Sequence, residues 1–371
     1  MKKSLGALCA AALLALSAAC GSSDTAAKAA PAPESTATFD QATLDLLGGE
    51  ESAKHLDTLY QQAIEAGQKT ITVYGVTATS SAPLYVAFSK RYPEIKVNHV
   101  TVFGPELQAK ISGEQTTGQY NGDQVSVGGP DVSFVVENKY LAETEAPLSS
   151  KVPKEYVPEG KTLYGGNEYL YTLAYNSDEI SADEAPKSFD ALLDPKWKGK
   201  VGLIDPKIGS TSFISDAIEA GTLDESWLTD IQDNDPVIFP SERDLFTAIA
   251  SGQIALGVGD YIRGKDFLEA DKLPVGFVSD FEDGLSVGVF YRSTLKNAPN
   301  PLASDLLVNW WLTPEAQTLI AGQGQQGLTE GAVPIPGVPP LSEIKLNPPP
   351  SIASYGDYMT KYNEMFRKAF E

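Results

Sequence analysis

Between residues 51 and 97 the chain alternates two hydrophobic periods, and no other feature restricts its fold as tightly. Leu56, Leu59, Tyr60, Ala63 and Ile64 recur at helical spacing and stop at Gly67. Thr70 to Gly75 then alternates as a strand. Pro83 to Tyr92 reads as a second helix with Leu84, Ala87 and Phe88 inward, and Pro93 breaks it before Ile95 and Val97 alternate again. Helices placed between strands demand crossover connections, so the strands are expected to run parallel in an α/β architecture. At 371 residues the chain exceeds a single core, and two domains are expected.

The same logic reads the stretch from Ala185 to Pro206. Pro186 opens a short helix with Phe189, Leu192 and Leu193 on one face, and Asp194-Pro195 stops it. Gly199 turns the chain into a buried strand, Val201 to Ile204, and Gly209 to Ser212 supplies caps for a helix beginning near Phe213. This run resembles a signature of bacterial extracellular solute-binding proteins that serve ABC importers for ferric iron, thiamine, polyamines and phosphonates. Further matches are Ala63 to Gly67 with Ile71 to Gly75, Phe88 to Val97, Tyr169 to Asn176, Ser286 to Arg292 and Asn300 to Gln317, spread over roughly residues 50–370. The resemblance implies a two-lobed, periplasmic-binding-protein-like clamp with two hinge crossover strands. Lobe 1 is expected at 51–170 and 294–371, lobe 2 at 177–284, and the crossovers at 171–176 and 285–293. It also implies capture of a small solute by hinge closure, with delivery to a membrane permease driven by an ATPase. The protein is then no enzyme, needs no cofactor and works as a monomer; a ligand-sensing lipoprotein coupled to a membrane kinase is the other reading of the same clamp.

Within lobe 1, Leu107 and Ile111 continue a helix up to Gly118. Asp131 to Val135 resembles the family's strand that ends at the cleft, and Gly128-Gly129-Pro130 makes residues 119–130 read as an insertion. Pro334 to Pro350 is an extended wrap, and Tyr355 to Phe370 closes the chain as an amphipathic helix.

Lys2-Lys3 and the apolar run Leu5 to Ala19 have the regions of a secretory signal, about 15 residues and short of a ~20-residue membrane span. Leu16 to Gly21 resembles a bacterial lipobox, which implies cleavage before Cys20, acylation of its thiol (palmitate among the chains) and an extracytoplasmic protein tethered to the cell membrane. Residues 20–50 are expected to hold the anchor and a disordered tether, rich in Ala, Ser and Pro up to about Thr38. Cys9 and Cys20 are the only cysteines, so the folded part has no disulfide. His55 and His99, the only histidines, read as satisfied structural residues and leave little material for a triad or a multi-histidine zinc site. A formal charge of −21 argues against a nucleic-acid partner.

Candidate ligand residues follow from position. Thr77, Thr79 and Ser80 lie at a strand's carboxyl end ahead of a helix, where open sheets bind ligands. Ser210 and Thr211 open a second helix, and Tyr261 with Arg263 follows the strand Ile254 to Val258. Asp283, in the acidic turn Phe281 to Gly284, and its neighbour Glu282 suit an ammonium group. Hydroxyl-rich helix starts with Arg263 favour a small organic anion such as a phosphonate. Ferric iron is the alternative: Tyr169, Tyr171 and Tyr175 share one strand face with Leu173, as a phenolate cluster or as core. Iron-binding members of the family carry an adjacent tyrosine pair in the second half, and here Tyr261 stands alone.

Overall fold

The computed structural model of the protein describes residues 35–76, 78–157, 161–205, 212–260, 273–336, 338–347 and 350–370. The first part of the chain forms α1 (Gln41–Leu47), α2 (Glu50–Glu65), β1 (Thr70–Gly75), α3 (Ala78–Arg91), β2 (Lys96–Thr101), α4 (Gly104–Thr117), β3 (Gln124–Val127) and α5 (Pro130–Glu137). A long strand, β4 (Tyr164–Asn176), leads to β5 (Val201–Ile204), α6 (Ser212–Glu219), α7 (Trp227–Asp230), β6 (Val237–Phe239), α8 (Glu242–Ala250), β7 (Leu256–Asp260) and β8 (Val275–Phe277). A second long strand, β9 (Leu285–Thr294), returns the chain to α9 (Pro301–Trp311), α10 (Pro314–Gly322), β10 (Gln326–Gly327), β11 (Leu346–Asn347) and α11 (Tyr355–Phe370).

Among the described residues these strands make one curled sheet in the order β2-β1-β3-β9-β4-β7-β5-β6. β1 pairs parallel with β2 and β3, and β5 pairs parallel with β6 and β7, as the helix-strand alternation requires. Between the two parallel sets β9 and β4 lie antiparallel to each other. On the main path β9 borders the first set at β3 and β4 borders the second at β7, so this pair joins the two lobes of a clamp. Helices α2, α3, α9 and α10 bury Leu56, Leu84, Phe88, Trp310 and Ile320 on one side of β1 in the first lobe. In the second lobe Phe189, Leu192, Val201, Phe213, Trp227 and Leu256 form one core.

Several expectations are corrected. Asp131 to Val135 is not a strand: Gly129 adopts φ +56°, Pro130 follows in the first turn, and the chain winds into α5. The strand of this region is β3, inside the supposed insertion. A side chain at Gly128 would meet the Val289 carbonyl at 2.9 Å, so that glycine permits β9 to lie beside the exit from β3. Residues 41–47 are a helix capped by the Asp40 carboxylate, so the tether does not reach residue 50. Helix α3 begins at Ala78, with Pro83 inside it at the loss of one helical hydrogen bond. The stretch opened by Pro186 forms two short 3₁₀ turns, Asp190–Leu193 and Pro195–Trp197, ahead of β5.

The closing helix also changes lobes. Tyr358, Tyr362 and Phe366, at i, i+4 and i+8, form one stripe buried against the second-lobe core beside Phe213 and Ala217. Its upstream turn touches the first lobe, where Ser133 donates to the Ile352 carbonyl at 2.7 Å.

Candidate functional site

The strand register places the site. β3 ends at Val127, level with Tyr291 of β9 and so with Gly165 of β4. β7, running the other way, ends at Asp260, level with Tyr171 of β4. The carboxyl ends of the two parallel sets therefore point toward each other along β4. Six residues separate them, about 20 Å at the usual strand rise. Ligands of open α/β sheets bind outside carboxyl strand ends, and here both lobes present theirs over the same stretch of crossover. Residues 171–175 of β4 already pair with β7 and Asn176 with β8, so the first crossing runs from Gly165 to Tyr171, earlier than the expected 171–176.

The two faces of this floor differ. Leu170 and Val287 are buried under Ile335 and Val338 of the Pro-rich wrap, which closes one face. The other carries Asn167, Tyr169, Tyr171 and Phe290. Tyr169 packs edge-on against Phe290 at 4.6 Å, and its hydroxyl accepts from the Gln325 amide at 3.1 Å. Asn167 donates to the same Gln325 at 3.0 Å. Tyr175 is buried against Gly276 in the second lobe, and burial pushes its phenol upward. Tyr171 is only half-buried, packed at the edge of the second-lobe core. Of the three tyrosines sharing this face, two are core and Tyr171 is the one with exposed surface.

Below the first-lobe end of the floor lies a group that the sequence reading passed over. Arg292 of β9 is buried, its guanidinium stacked 3.2 Å over the Trp311 ring and 3.5 Å from the Tyr85 hydroxyl. Its Nε has no partner, and desolvation lowers its affinity for its proton. Tyr85 in turn bonds His99 Nδ1 at 3.0 Å, and His99 Nε2 meets the Gly75 carbonyl, at the end of β1, at 3.2 Å. His99 is thus satisfied by hydrogen bonds, as expected, and burial keeps it neutral. The signal for Arg292 was the single charged residue inside the strand of the second crossover.

Of the expected ligand residues, Thr79 and Ser80 fall in the first turn of α3, at the carboxyl end of β1. Thr77, Ser210, Thr211, Tyr261 and Arg263 lie outside the described residues, as does Cys20. The positions flanking them in sequence, Gly75, Ile204 and Asp260, are the carboxyl ends of β1, β5 and β7. Asp283 has an internal role: its carboxylate accepts from the Phe189 backbone at 2.6 Å, while Thr222 and Asn347 donate to its carbonyl. It holds the turn before β9 against the Ala185–Leu193 segment, which engages one of its two carboxylate oxygens. Among the described residues no three His, Cys, Asp or Glu side chains gather as a metal cage.

Comparison with known proteins agrees with this geometry. Residues 84–339 match the family described as bacterial extracellular solute-binding protein. A relative named iron uptake protein A2, from Synechocystis sp., is 28% identical over 305 residues, 74% of this chain and 80% of its own length. Iron-bound HitA from Pseudomonas aeruginosa superposes with a TM-score of 0.68 at 21% identity, covering 82% of this chain and 100% of that one. AfuA from Actinobacillus pleuropneumoniae, solved with fructose-6-phosphate, gives a TM-score of 0.63 at 18% identity over 81% and 97% of the two chains. At these identities the structural likenesses establish the fold.

Proposed function

Because the chain belongs to the bacterial extracellular solute-binding proteins, we propose that it is the binding component of an ABC importer, and that its solute is ferric iron. The protein would work as a monomer outside the cytoplasm, anchored through Cys20, and hand its cargo to a permease and ATPase. The observation that carries the iron reading is the half-buried Tyr171 at the crossover floor, level with Asp260, with Tyr261 the next residue in the chain. Phenolate oxygens are hard donors suited to a trivalent cation; both tyrosines belong to the second-lobe end of the crossover, which leaves the opposing carboxyl ends of the first-lobe strands to supply a contact from the other lobe. That contact is what closure requires, since a solute shifts the open–closed balance only by its differential affinity for the two states.

The relative named iron uptake protein A2 and iron-bound HitA point the same way, and they reverse the order in which an organic anion came first. A phosphorylated organic solute is kept as the second reading, because one protein of the same fold was solved with fructose-6-phosphate and Arg263 is a ready partner for phosphate. Thermal unfolding of the metal-stripped protein separates them. At a hundredfold excess over its dissociation constant the true solute adds ~2.7 kcal/mol. Ferric citrate is expected to raise the midpoint, with citrate alone and fructose-6-phosphate inert. A rise with the sugar phosphate and none with iron would discard the iron reading.

A further inference from the structure

Asp216 of α6 is buried where three elements converge: its own helix, the crossover strand β9 and the closing helix α11. Tyr358 of α11 and Ser286 of β9 both donate their hydroxyls to its carboxylate. Among the described residues no lysine or arginine neutralises it. The charged and titratable groups that act on it there are Glu219 from α6 and Tyr355 and Tyr358 from α11, with Lys361 and Tyr362 bound to Glu219; β9 contributes the Ser286 hydroxyl. Lys361 is engaged with Glu219 at 3.0 Å, and Tyr362 donates to the same carboxylate at 2.6 Å, so the one nearby cation is already claimed. A cavity of about 450 Å³, lined by Glu219, Ala220, Ser351, Ser354, Tyr358 and Lys361, lies along this seam.

We propose that Asp216 makes the seating of α11 on the second lobe proton-dependent, tight when the carboxyl is protonated and looser when it is ionised. The seating matters to the clamp because the same segment reaches the first lobe. Ile352 accepts from Ser133, and Tyr355 lies against Gly129 at the start of α5. With Tyr358 on α11 and Ser286 on the crossover as its two partners, Asp216 joins the hinge to a strap that touches both lobes.

The sign follows from burial. Desolvation raises the Asp216 carboxyl from an ordinary 3.8 to about 7, outweighing the two donated hydrogen bonds, and the Glu219 charge adds to the rise. Once α11 is undocked the carboxyl returns to the ordinary range. Between those two values a seated helix holds a proton that the unseated one has lost, so seating weakens by about tenfold per pH unit and levels off above about 7. Glu219 is held low by Tyr362 and Lys361, and its contribution is lost only below the ordinary carboxylate range, outside this window.

Hydrogen exchange of the full chain, corrected for intrinsic rates and followed from roughly pH 4.5 to 8, reads the seating of α11 directly. The expected result is protection of 355–370 that falls about tenfold per pH unit up to about pH 6.5 and is flat above 7. Asp216→Asn should hold protection constant across the range. Tyr358→Phe, which keeps the buried ring and removes one donor to the carboxylate, should move the levelling point to higher pH. A flat wild-type profile, an Asp216→Asn variant with the wild-type slope, or a Tyr358→Phe variant with an unmoved levelling point would each overturn the proposal.

Discussion

Two buried charges flank the second crossover, and they are handled in opposite ways. At the first-lobe end Arg292 lies on Trp311 and beside Tyr85, a cation with no ion-paired carboxylate among the described residues. At the second-lobe end Asp216 lies under Ser286 and Tyr358, a carboxyl with no cation of its own among them. A guanidinium cannot shed its proton in a protein, so its desolvation is offset by a fixed aromatic surface that does not vary with pH. A carboxylate can take up a proton, so the same penalty becomes a pH response. One end of β9 is therefore anchored permanently and the other conditionally.

The comparison breaks most readily at Trp311, which is 1% exposed and forms the platform for Arg292. Trp311→Ala should destabilise the protein by about 4 kcal/mol in urea unfolding, with no dependence on pH, since it removes a large buried ring and strands the cation. A smaller and pH-dependent effect is expected from Asp216→Asn. At pH 8 the variant should be more stable than wild type by about 1 to 4 kcal/mol, a gain that vanishes near pH 4 as the wild-type carboxyl fills. Arg292→Met sharpens the contrast further. An apolar chain of similar length gives up the stacking but also the desolvation, so the change should stay within about 1.5 kcal/mol at every pH. The smallest effect belongs to Lys361→Ala: its pairing with Glu219 is half-exposed, and removal should cost no more than ~0.5 kcal/mol, disappearing in high salt.

The elements that sequence made legible are those whose period is set by a single interface or whose ends are marked by chain breakers. β1 and α11 are found at the residues expected because alternation or an i, i+4 stripe against one core leaves no second solution, and β5 because Gly199 and Asp205-Pro206 bracket it. β3 was missed because Gln124-Val-Ser-Val127 is four residues long and buried on both faces, so it lacks alternation, and the glycines after it read as an insertion. The lobe of α11 was illegible for a different reason: a stripe of Tyr358, Tyr362 and Phe366 says that a core is covered, not which one. The site divides in the same way. The place of Thr79 at the exit of β1 follows from topology, whereas Arg292, Asp216 and the internal use of Asp283 depend on partners distant in sequence.

The central claim, a clamp that takes ferric iron on phenolate oxygens, is tested most directly by the visible absorption spectrum during titration of the metal-stripped full chain with ferric citrate. The account predicts a phenolate-to-iron charge-transfer band that saturates at one iron per chain and fades in Tyr171→Phe and in Tyr261→Phe. Saturation without a visible band, or an undiminished band in both variants, would contradict it.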